Sequence, residues 1–315
     1  MSRFLSKASE SLLPYTPGEQ PQGRKFIKLN TNECPYPPSP KVAEAILAGY
    51  EEIAAGCGTA GAAGRAEKAD CGCDAGATEA GKMAEKVAQI MPPELANLRL
   101  YSDPEERVLI EAIAAHYRVG TNQVIAGNGS DEILGFAFRA FCDSEAPLQF
   151  ADLTYGFYPA LCGLYGIPFR VVPLEEDFTL NIEPYKNCGN NVIIANPNAP
   201  TGMNLPLSAI EEVAASNPDR VVMVDEAYVD FGGESCVSLL PKYENLVIIQ
   251  TFSKSRSLAG ARVGFAIANP ELIADMNRIK YSFNPYNVNR LSILAGAAAM
   301  RDWDYTKECT GRICK

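Results

Sequence analysis

The sequence predicts an α/β protein whose mostly parallel sheet lies between layers of helices. Continuous apolar runs that end in polar residues predict strands at 191–197, 220–228 and 245–254. Runs without polar alternation are typical of strands buried on both faces, as in a parallel sheet covered by helices. The 315 residues are enough for about two domains with a substantial core.

Strand and helix patterns alternate along the chain from residue 104 onward. Leu109, Ala112 and Ile113 follow helical spacing and predict the first helix of this region. Helices are predicted at 104–119, 130–142, 155–166 and 271–281, and further strands at 147–153, 169–174 and 262–268, with a short strand entering a glycine turn at 123–129. The polar residues that follow the parallel strands should meet at one sheet edge, where ligands bind in open α/β sheets.

Composition excludes several function classes. A formal net charge of −10 repels nucleic acid and anionic lipid, so we expect neither as a partner. No apolar run reaches the length of a membrane span or a signal peptide, and we expect a cytoplasmic protein. The one histidine, His116, argues against metal sites built on several histidines. We therefore expect no metal, and chemistry based on Lys, Tyr, Asp, Arg or a cofactor.

The stretch at residues 54–90 differs from the rest of the chain because it consists largely of Ala, Gly, Cys and charged residues. It has too little apolar surface to offset its ordering entropy, which predicts a flexible insertion. Its cysteines Cys57, Cys71 and Cys73 lack the paired spacing of zinc motifs, so a metal site is a weaker hypothesis for this stretch than a flexible insertion.

The glycine turn Gly127-Asn128-Gly129-Ser130-Asp131 is the first candidate site. Free N–H groups at a helix N-terminus, beside small residues, can bind an anion. A plain strand-to-helix turn explains the same residues. The turn matches neither the dinucleotide fingerprint nor the Walker A loop.

The second candidate site is Asp225, which closes an apolar strand and is followed by Tyr228. A partly desolvated carboxylate favours a cationic partner, although it could also cap a local turn. Tyr228 could offer its phenol to the same ligand.

Lys254 ends another apolar strand among hydroxyl side chains, and Arg262 follows it. A lysine near other cations and away from water is suited to imine chemistry, and the hydroxyls and guanidinium are suited to phosphate. The alternative is an exposed basic loop. A fourth feature, the rigid turn at 196–202, could hold an amide against a ligand.

Together these features require a ligand with a phosphate, a carbonyl that reacts with an amine, a protonatable ring nitrogen and a ring hydroxyl. Pyridoxal 5′-phosphate has all four.

The sequence resembles the fold-type I pyridoxal-phosphate aminotransferases, and among them most closely the histidinol-phosphate aminotransferase group. The resemblance runs from about 25 to 53 and from about 95 to 300. The motifs that carry it are KLNTNECPYPPSP (28–40), LRLYSDPE (98–105), GNGSDE (127–132), TYGFY (154–158), NPNAPTG (196–202), VDEAYVDF (224–231) and TFSKSRSLAGARVGF (251–265).

The resemblance implies roles for residues around the cofactor ring. Lys254 would bind the cofactor covalently and later move the proton between the substrate α-carbon and the cofactor. Asp225 would keep the ring nitrogen protonated, and Tyr228 would hydrogen-bond the ring oxygen O3′. Tyr155 would stack on the ring face. Asn198 would replace the asparagine that usually stands directly before Pro-Thr-Gly, where this chain has Ala199.

Further implied residues surround the cofactor phosphate. They are Ser130, Asp131, Ser253 and Arg262. Tyr101 would reach the phosphate of the neighbouring subunit, which implies a homodimer with shared active sites.

The implied reaction exchanges amino groups between L-histidinol phosphate and 2-oxoglutarate by a ping-pong mechanism. Two alternatives stay open: a related enzyme, such as a threonine-phosphate decarboxylase or an aromatic aminotransferase, and a cofactor-binding but inactive protein.

The family pattern also suggests a domain organisation. An N-terminal arm and first helix would occupy residues 1–53, the insertion 54–90, and the large cofactor-binding domain 91–280. The start of an incomplete small domain would occupy 281–315, because the family continues beyond the equivalent of Met300.

Overall fold

The structure is a computed structural model that describes residues 102–315. The predictions for the N-terminal arm, the insertion at 54–90 and Tyr101 lie outside these residues.

Seven strands of the described residues form one sheet. They are β1 (Val124–Gly127), β2 (Leu148–Ala151), β3 (Phe169–Val172), β4 (Asn191–Ala195), β5 (Val222–Asp225), β6 (Leu246–Thr251) and β7 (Gly264–Ala268), in the spatial order β1-β7-β6-β5-β4-β2-β3. Neighbouring strands are parallel except where β7 pairs with β1 and β6. The predicted mostly parallel sheet is confirmed, and the reversed direction of β7 is an addition to it.

Seven α-helices occupy the described part of the chain. They are α1 (Arg107–Tyr117), α2 (Gly129–Phe141), α3 (Phe157–Tyr165), α4 (Leu207–Ser216), α5 (Pro270–Phe283), α6 (Arg290–Arg301) and α7 (Trp303–Ile313). Local sequence sets several of their ends. The Asn269 side chain accepts a hydrogen bond from the Glu271 N–H at 3.0 Å and so caps α5, whose first residue is a proline. Gly166, with φ of 67°, ends α3 in the left-handed conformation that glycine adopts at low cost.

The sheet has a hydrophobic core on each face. Val192 and Ile194 of β4 belong to one buried cluster and Ile193 to the other, because successive strand residues point to opposite faces. Helices α1, α4 and α6 contribute to the first cluster, and α2, α3 and α5 to the second. The fold is therefore a three-layer α/β/α arrangement, as the uninterrupted apolar strands predict.

The C-terminal helices extend this architecture. Helix α6 buries Ile293, Ala297 and Met300 in the same cluster as α1. The domain boundary between residues 280 and 281 stays a prediction. Within residues 102–315, no helix is long and apolar enough to cross a membrane. The same residues contain no group of three or more His, Cys, Asp or Glu arranged to hold a metal ion.

Candidate active site

A cavity of about 110 Å³ opens where β4, β5 and β6 end and α2 begins. The side chains predicted from four separate motifs line it, which places their chemistry at one sheet edge: Ser130, Asp131, Tyr155, Asp225, Tyr228, Ser253, Lys254 and Arg262. Pro197, Ala199 and Thr251 contribute to the wall. A larger surface cavity of about 420 Å³ surrounds Glu106 and Lys280 but lies among none of these motifs. We therefore take the smaller cavity as the candidate active site, because of the residues that line it and despite its smaller volume.

Asp225 is the most deeply buried charged group of the cavity, with 4% of its surface exposed. Burial raises the pKa of its carboxyl group to about 6. Hydrogen bonds from the Tyr158 hydroxyl (2.8 Å) and the Ala227 N–H (3.1 Å) oppose this shift because they stabilise the anion. A cationic ligand group beside Asp225 would favour the carboxylate further.

Lys254 follows the end of β6 and faces Tyr228, which follows the end of β5. The Lys254 Nζ atom lies 5.4 Å from the centre of the Tyr228 ring. Thr251 and Ser253 lie close by, and the Thr251 hydroxyl is 3.0 Å from the Ser253 hydroxyl. The site thus places an amine, a phenol and two hydroxyl groups around one space.

Arg262 reaches back across the cavity to the start of α2. Its backbone is in the left-handed region, with φ of 51°, which a side-chain-bearing residue rarely adopts. The guanidinium donates to Asp131 Oδ2 at 2.9 Å, and the Tyr155 hydroxyl donates to Asp131 Oδ1, also at 2.9 Å. These contacts hold Arg262 and Tyr155 beside the N-terminal end of α2, where free N–H groups attract anions.

Glycines allow β7 and α2 to approach closely at this end. A Cβ atom on Gly264 would stand 2.3 Å from the Gly129 carbonyl carbon and 2.3 Å from the Ser130 nitrogen. Gly129 itself has φ of 79°. The first residue of β7 therefore fixes where the Ser130 N–H can lie.

Asn198 is placed differently from the other predicted residues. It is buried, but it is absent from the cavity wall, where its neighbours Pro197 and Ala199 stand. Its amide is engaged within the loop: Oδ1 accepts from the Thr154 hydroxyl at 2.8 Å, and Nδ2 donates to Leu153 O and Thr201 Oγ1, both at 3.0 Å. These bonds support the loop, and the contact of Asn198 with the cofactor stays a prediction.

Residue-level reasoning from the sequence overlooked Tyr158, the fully buried hydrogen-bond donor to Asp225. A usable signal was present, because Tyr158 stands three residues after Tyr155, about one helical turn on. Thr251 and Ala199 were also absent from the predicted set, although both line the cavity.

Comparison with known proteins gives a consistent result. Residues 78–312 match the family model described as aminotransferase class I and II. The chain is 44% identical over 315 residues to a histidinol-phosphate aminotransferase of Clostridium botulinum, covering 100% of this chain and 77% of the relative. It is 46% identical over 310 residues to histidinol-phosphate aminotransferase 2 of Dechloromonas aromatica, covering 98% and 76%.

Solved structures share the fold. Histidinol-phosphate aminotransferase of Sinorhizobium meliloti, solved in complex with pyridoxal-5′-phosphate, matches with a TM-score of 0.74 and 23% identity over 99% of this chain and 75% of that chain. Aspartate aminotransferase of Thermus thermophilus, solved with maleate, matches with a TM-score of 0.71 and 17% identity over 99% and 77%.

Proposed function

The chain belongs to the class I and II aminotransferases and, within them, to the histidinol-phosphate aminotransferases, and from this membership we propose that it exchanges an amino group between L-histidinol phosphate and 2-oxoglutarate. The two substrates would use one site in turn, in a ping-pong sequence. The observation that carries the proposal is the cavity in which Lys254, Asp225 and Tyr228 meet.

The donor set of the cavity fits pyridoxal 5′-phosphate. The buried Asp225 carboxyl group suits a cationic ring nitrogen, and the Lys254 amine suits an aldehyde. Arg262 and the hydroxyls of Ser130 and Ser253 suit a phosphate at the start of α2. When bound, the cofactor supplies an aldehyde that combines with amines and a ring that takes up the electron pair released at the substrate α-carbon.

Asp225 holds a proton on the ring nitrogen in this proposal. Its carboxyl group is enclosed by protein, so a cation placed against it gains more than it would in water. Tyr158 supports this role because its hydroxyl donates to Oδ2 and leaves Oδ1 near the Ala227 N–H. These two contacts orient the carboxyl group.

Lys254 moves the proton between the substrate α-carbon and the ligand. Its flexible four-carbon stem would let Nζ serve both as the amine that holds the cofactor and as the base at the substrate α-carbon. Tyr228 faces this nitrogen and offers a hydroxyl to the ring oxygen. Tyr155, whose hydroxyl is tied to Asp131, presents its ring as the face on which the ligand stacks.

We propose that the enzyme is a homodimer with shared active sites, in which Tyr101 reaches the phosphate bound by the neighbouring subunit. Ser102, the next residue, is fixed to the segment that precedes α6, because its hydroxyl donates to Val288 O at 2.6 Å. The cytoplasmic location stays a prediction.

A panel of amino donors tests the reaction. Loaded with the cofactor, the protein should form glutamate from 2-oxoglutarate with L-histidinol phosphate as the preferred donor, at a kcat/KM at least about tenfold above that of aromatic amino acids. Carbon dioxide release from threonine phosphate is measured alongside. Preferred use of an aromatic donor, or decarboxylation, would assign one of the related enzymes. Cofactor binding without even a single turnover would assign an inactive protein.

Replacing Lys254 tests its covalent role. Borohydride treatment of the cofactor-loaded protein should attach the cofactor irreversibly to Lys254, as located by peptide mass spectrometry. Lys254→Ala should lose this label and at least about a thousandfold of kcat, because both the bond and the base are gone. Lys242→Ala, at an exposed lysine paired with Glu211, is the matched control and should keep both. If borohydride attached as much cofactor to the Lys254→Ala protein as to wild type, Lys254 would not be the residue that binds the cofactor covalently.

A further inference from the structure

The residues directly after Lys254 are tied to the turn that carries Tyr228. Asp230 lies in the short 3-10 helix Val229–Phe231 and accepts a hydrogen bond from the Ser255 hydroxyl. The same carboxylate oxygen lies 3.4 Å from Arg256 Nη2. We call Asp230, Ser255 and Arg256 the Asp230 clamp. Both of its ends are enclosed, since the Arg256 side chain is 1% exposed and that of Asp230 is 11% exposed.

Arg256 is held from several other directions. Its Nη1 donates to Thr251 O at 3.0 Å, at the end of β6. Its Nη2 donates at 3.0 Å to both the Tyr117 hydroxyl on α1 and the Gln250 side-chain oxygen. The guanidinium also lies 5.3 to 5.6 Å from three aromatic ring centres, those of Phe252, Phe265 and Trp303. The clamp therefore rests on a group that has little freedom to move.

We propose that Asp230 is a positioning residue for Lys254, because it joins the backbone after Lys254 to the turn that bears Tyr228. This inference rests on the proposed function. It adds to the residues of the active site one residue, Asp230, that does not line the cavity. Tyr228 stands two residues before Asp230, and Ser255 stands one residue after Lys254. The clamp thus connects the two site residues through short, well-defined stretches of backbone.

The need for such a connection follows from the chemistry of lysine. A lysine side chain has many rotamers, so its nitrogen is only as well placed as its backbone. A reacting group must be held to within about 0.5 Å of its productive position. Misplacement by about 1 Å can reduce a rate by about a hundredfold. Fixing the residue next to Lys254 is an economical way to limit that displacement.

A purely stabilising role explains the arrangement less well. Buried ion pairs are weak contributors to stability, because the desolvation of both charges offsets their attraction. The buried Arg256 Nε atom also has no hydrogen-bond partner among the described residues, and such a donor carries a cost. A buried ion pair of little stabilising value, directly after Lys254, agrees better with a positioning role than with a stabilising one.

The test measures how fast Lys254 bonds to the cofactor. Apoprotein is mixed with pyridoxal 5′-phosphate, and the absorbance change is followed by stopped flow. We expect Asp230→Asn and Ser255→Ala each to slow bond formation and to lower kcat by about tenfold, with KM changed less than about twofold. Asp230→Asn weakens the bond from Ser255 by removing the charge of its acceptor, and Ser255→Ala removes the bond, so the double variant should be no slower than the slower single variant. Glu211→Gln, at an exposed ion pair, is the control and should match wild type.

The outcomes separate this inference from the proposed function. Unchanged bond formation and kcat, with only a lower melting temperature, would overturn the positioning role and leave the proposed function intact. Failure of the wild-type protein to form the bond would overturn both. Asp230→Glu, which keeps the charge, should restore part of the lost rate if positioning is correct. If Asp230→Asn does not fold, Ser255→Ala decides the question, since it removes a single hydroxyl oxygen.

Discussion

The carboxylate of Asp225 is buried, and its protein surroundings stabilise the negative charge less well than water would. The strand before it, Val222–Asp225, is fully buried, and the carboxyl group has two hydrogen-bond donors in place of a hydration shell. The pKa of about 6 reflects this balance, because burial outweighs the two donors. A buried carboxylate of this kind lowers the stability of the folded protein, and a cationic ligand that binds beside it raises that stability again.

Asp225→Asn should therefore change how the stability of the apoprotein depends on pH. The pKa of Asp225 is about 6 in the fold, above the ordinary 3.8, so the folded state binds the proton more tightly and loses stability as the pH rises from about 4 to about 7. Asparagine carries no such charge. Between pH 5 and pH 7.5, wild type should lose about 1 to 2 kcal/mol more than the variant in urea unfolding.

Ligand binding provides the control for this prediction. Added pyridoxal 5′-phosphate should stabilise wild type more than Asp225→Asn, because only the carboxylate pairs with a cationic ring nitrogen. Parallel pH profiles of the two apoproteins would contradict the prediction.

The sequence predicts the position of some site residues but not of others. Lys254, Asp225 and Tyr228 could be placed at one edge because each stands at or just past the end of an apolar strand. Asn198 could not be placed, because the direction of its side chain depends on Thr154 and Leu153, which are distant in sequence. Strand ends are local signals, whereas the direction of a loop side chain is a tertiary property.

Among the secondary-structure elements, β7 lies so close to α2 at the site that only a glycine fits at its first position. Its first residue, Gly264, lies against the backbone of Gly129 and Ser130 at the start of α2. Strand β7 runs antiparallel to both neighbours, which brings this end to the site edge. The sequence predicts the strand but not its direction, since a buried apolar run looks the same either way. The absence of an α-helix between residues 252 and 263 was the available clue, because parallel neighbours usually need a helical crossover.

Gly264→Ala should damage both stability and ligand binding. The added methyl group would meet backbone atoms at 2.3 Å, so β7 and α2 must move apart. We expect a loss of about 2 to 3 kcal/mol in the free energy of unfolding. We also expect at least about tenfold weaker binding of pyridoxal 5′-phosphate, because the α2 N–H groups move with Ser130. Urea unfolding and a cofactor titration measure the two effects.

Gly260→Ala is the matched control, because no described atom beyond Gly260 and its two chain neighbours lies within 4 Å of the position its Cβ would take. It should leave the free energy of unfolding and the cofactor affinity near their wild-type values. Equal effects of the two alanine substitutions would show that the contact between β7 and α2 does not control the site.

At the scale of the whole molecule, a buried ion pair joins two parts of the described chain that are far apart in sequence. Lys280 on α5 lies 2.6 Å from Glu106, which directly precedes α1, and both side chains are 2% exposed. Burial raises the pKa of Glu106 to about 7, while the Lys280 ammonium group opposes the rise. Composition and periodicity predict both helices but not this pairing, since the partners are 174 positions apart.

Lys280→Met should make stability strongly dependent on pH. Removing one partner of a buried pair leaves an uncompensated charge, at a cost of about 3 to 5 kcal/mol. Without the ammonium group the pKa of Glu106 rises further above its unfolded value, so stability is lost as the pH increases and the variant should be weakest near pH 8 and recover towards pH 5. Urea unfolding at both pH values measures this loss of stability.

The double variant Glu106→Gln, Lys280→Met should regain stability near pH 8, because no charge is left buried. Arg278→Met, which disrupts an exposed pair with Asp275 on the same helix, should change stability by less than about 0.5 kcal/mol. A Lys280→Met protein with the same deficit at both pH values would mean that lost packing, rather than the stranded carboxyl group, accounts for the effect.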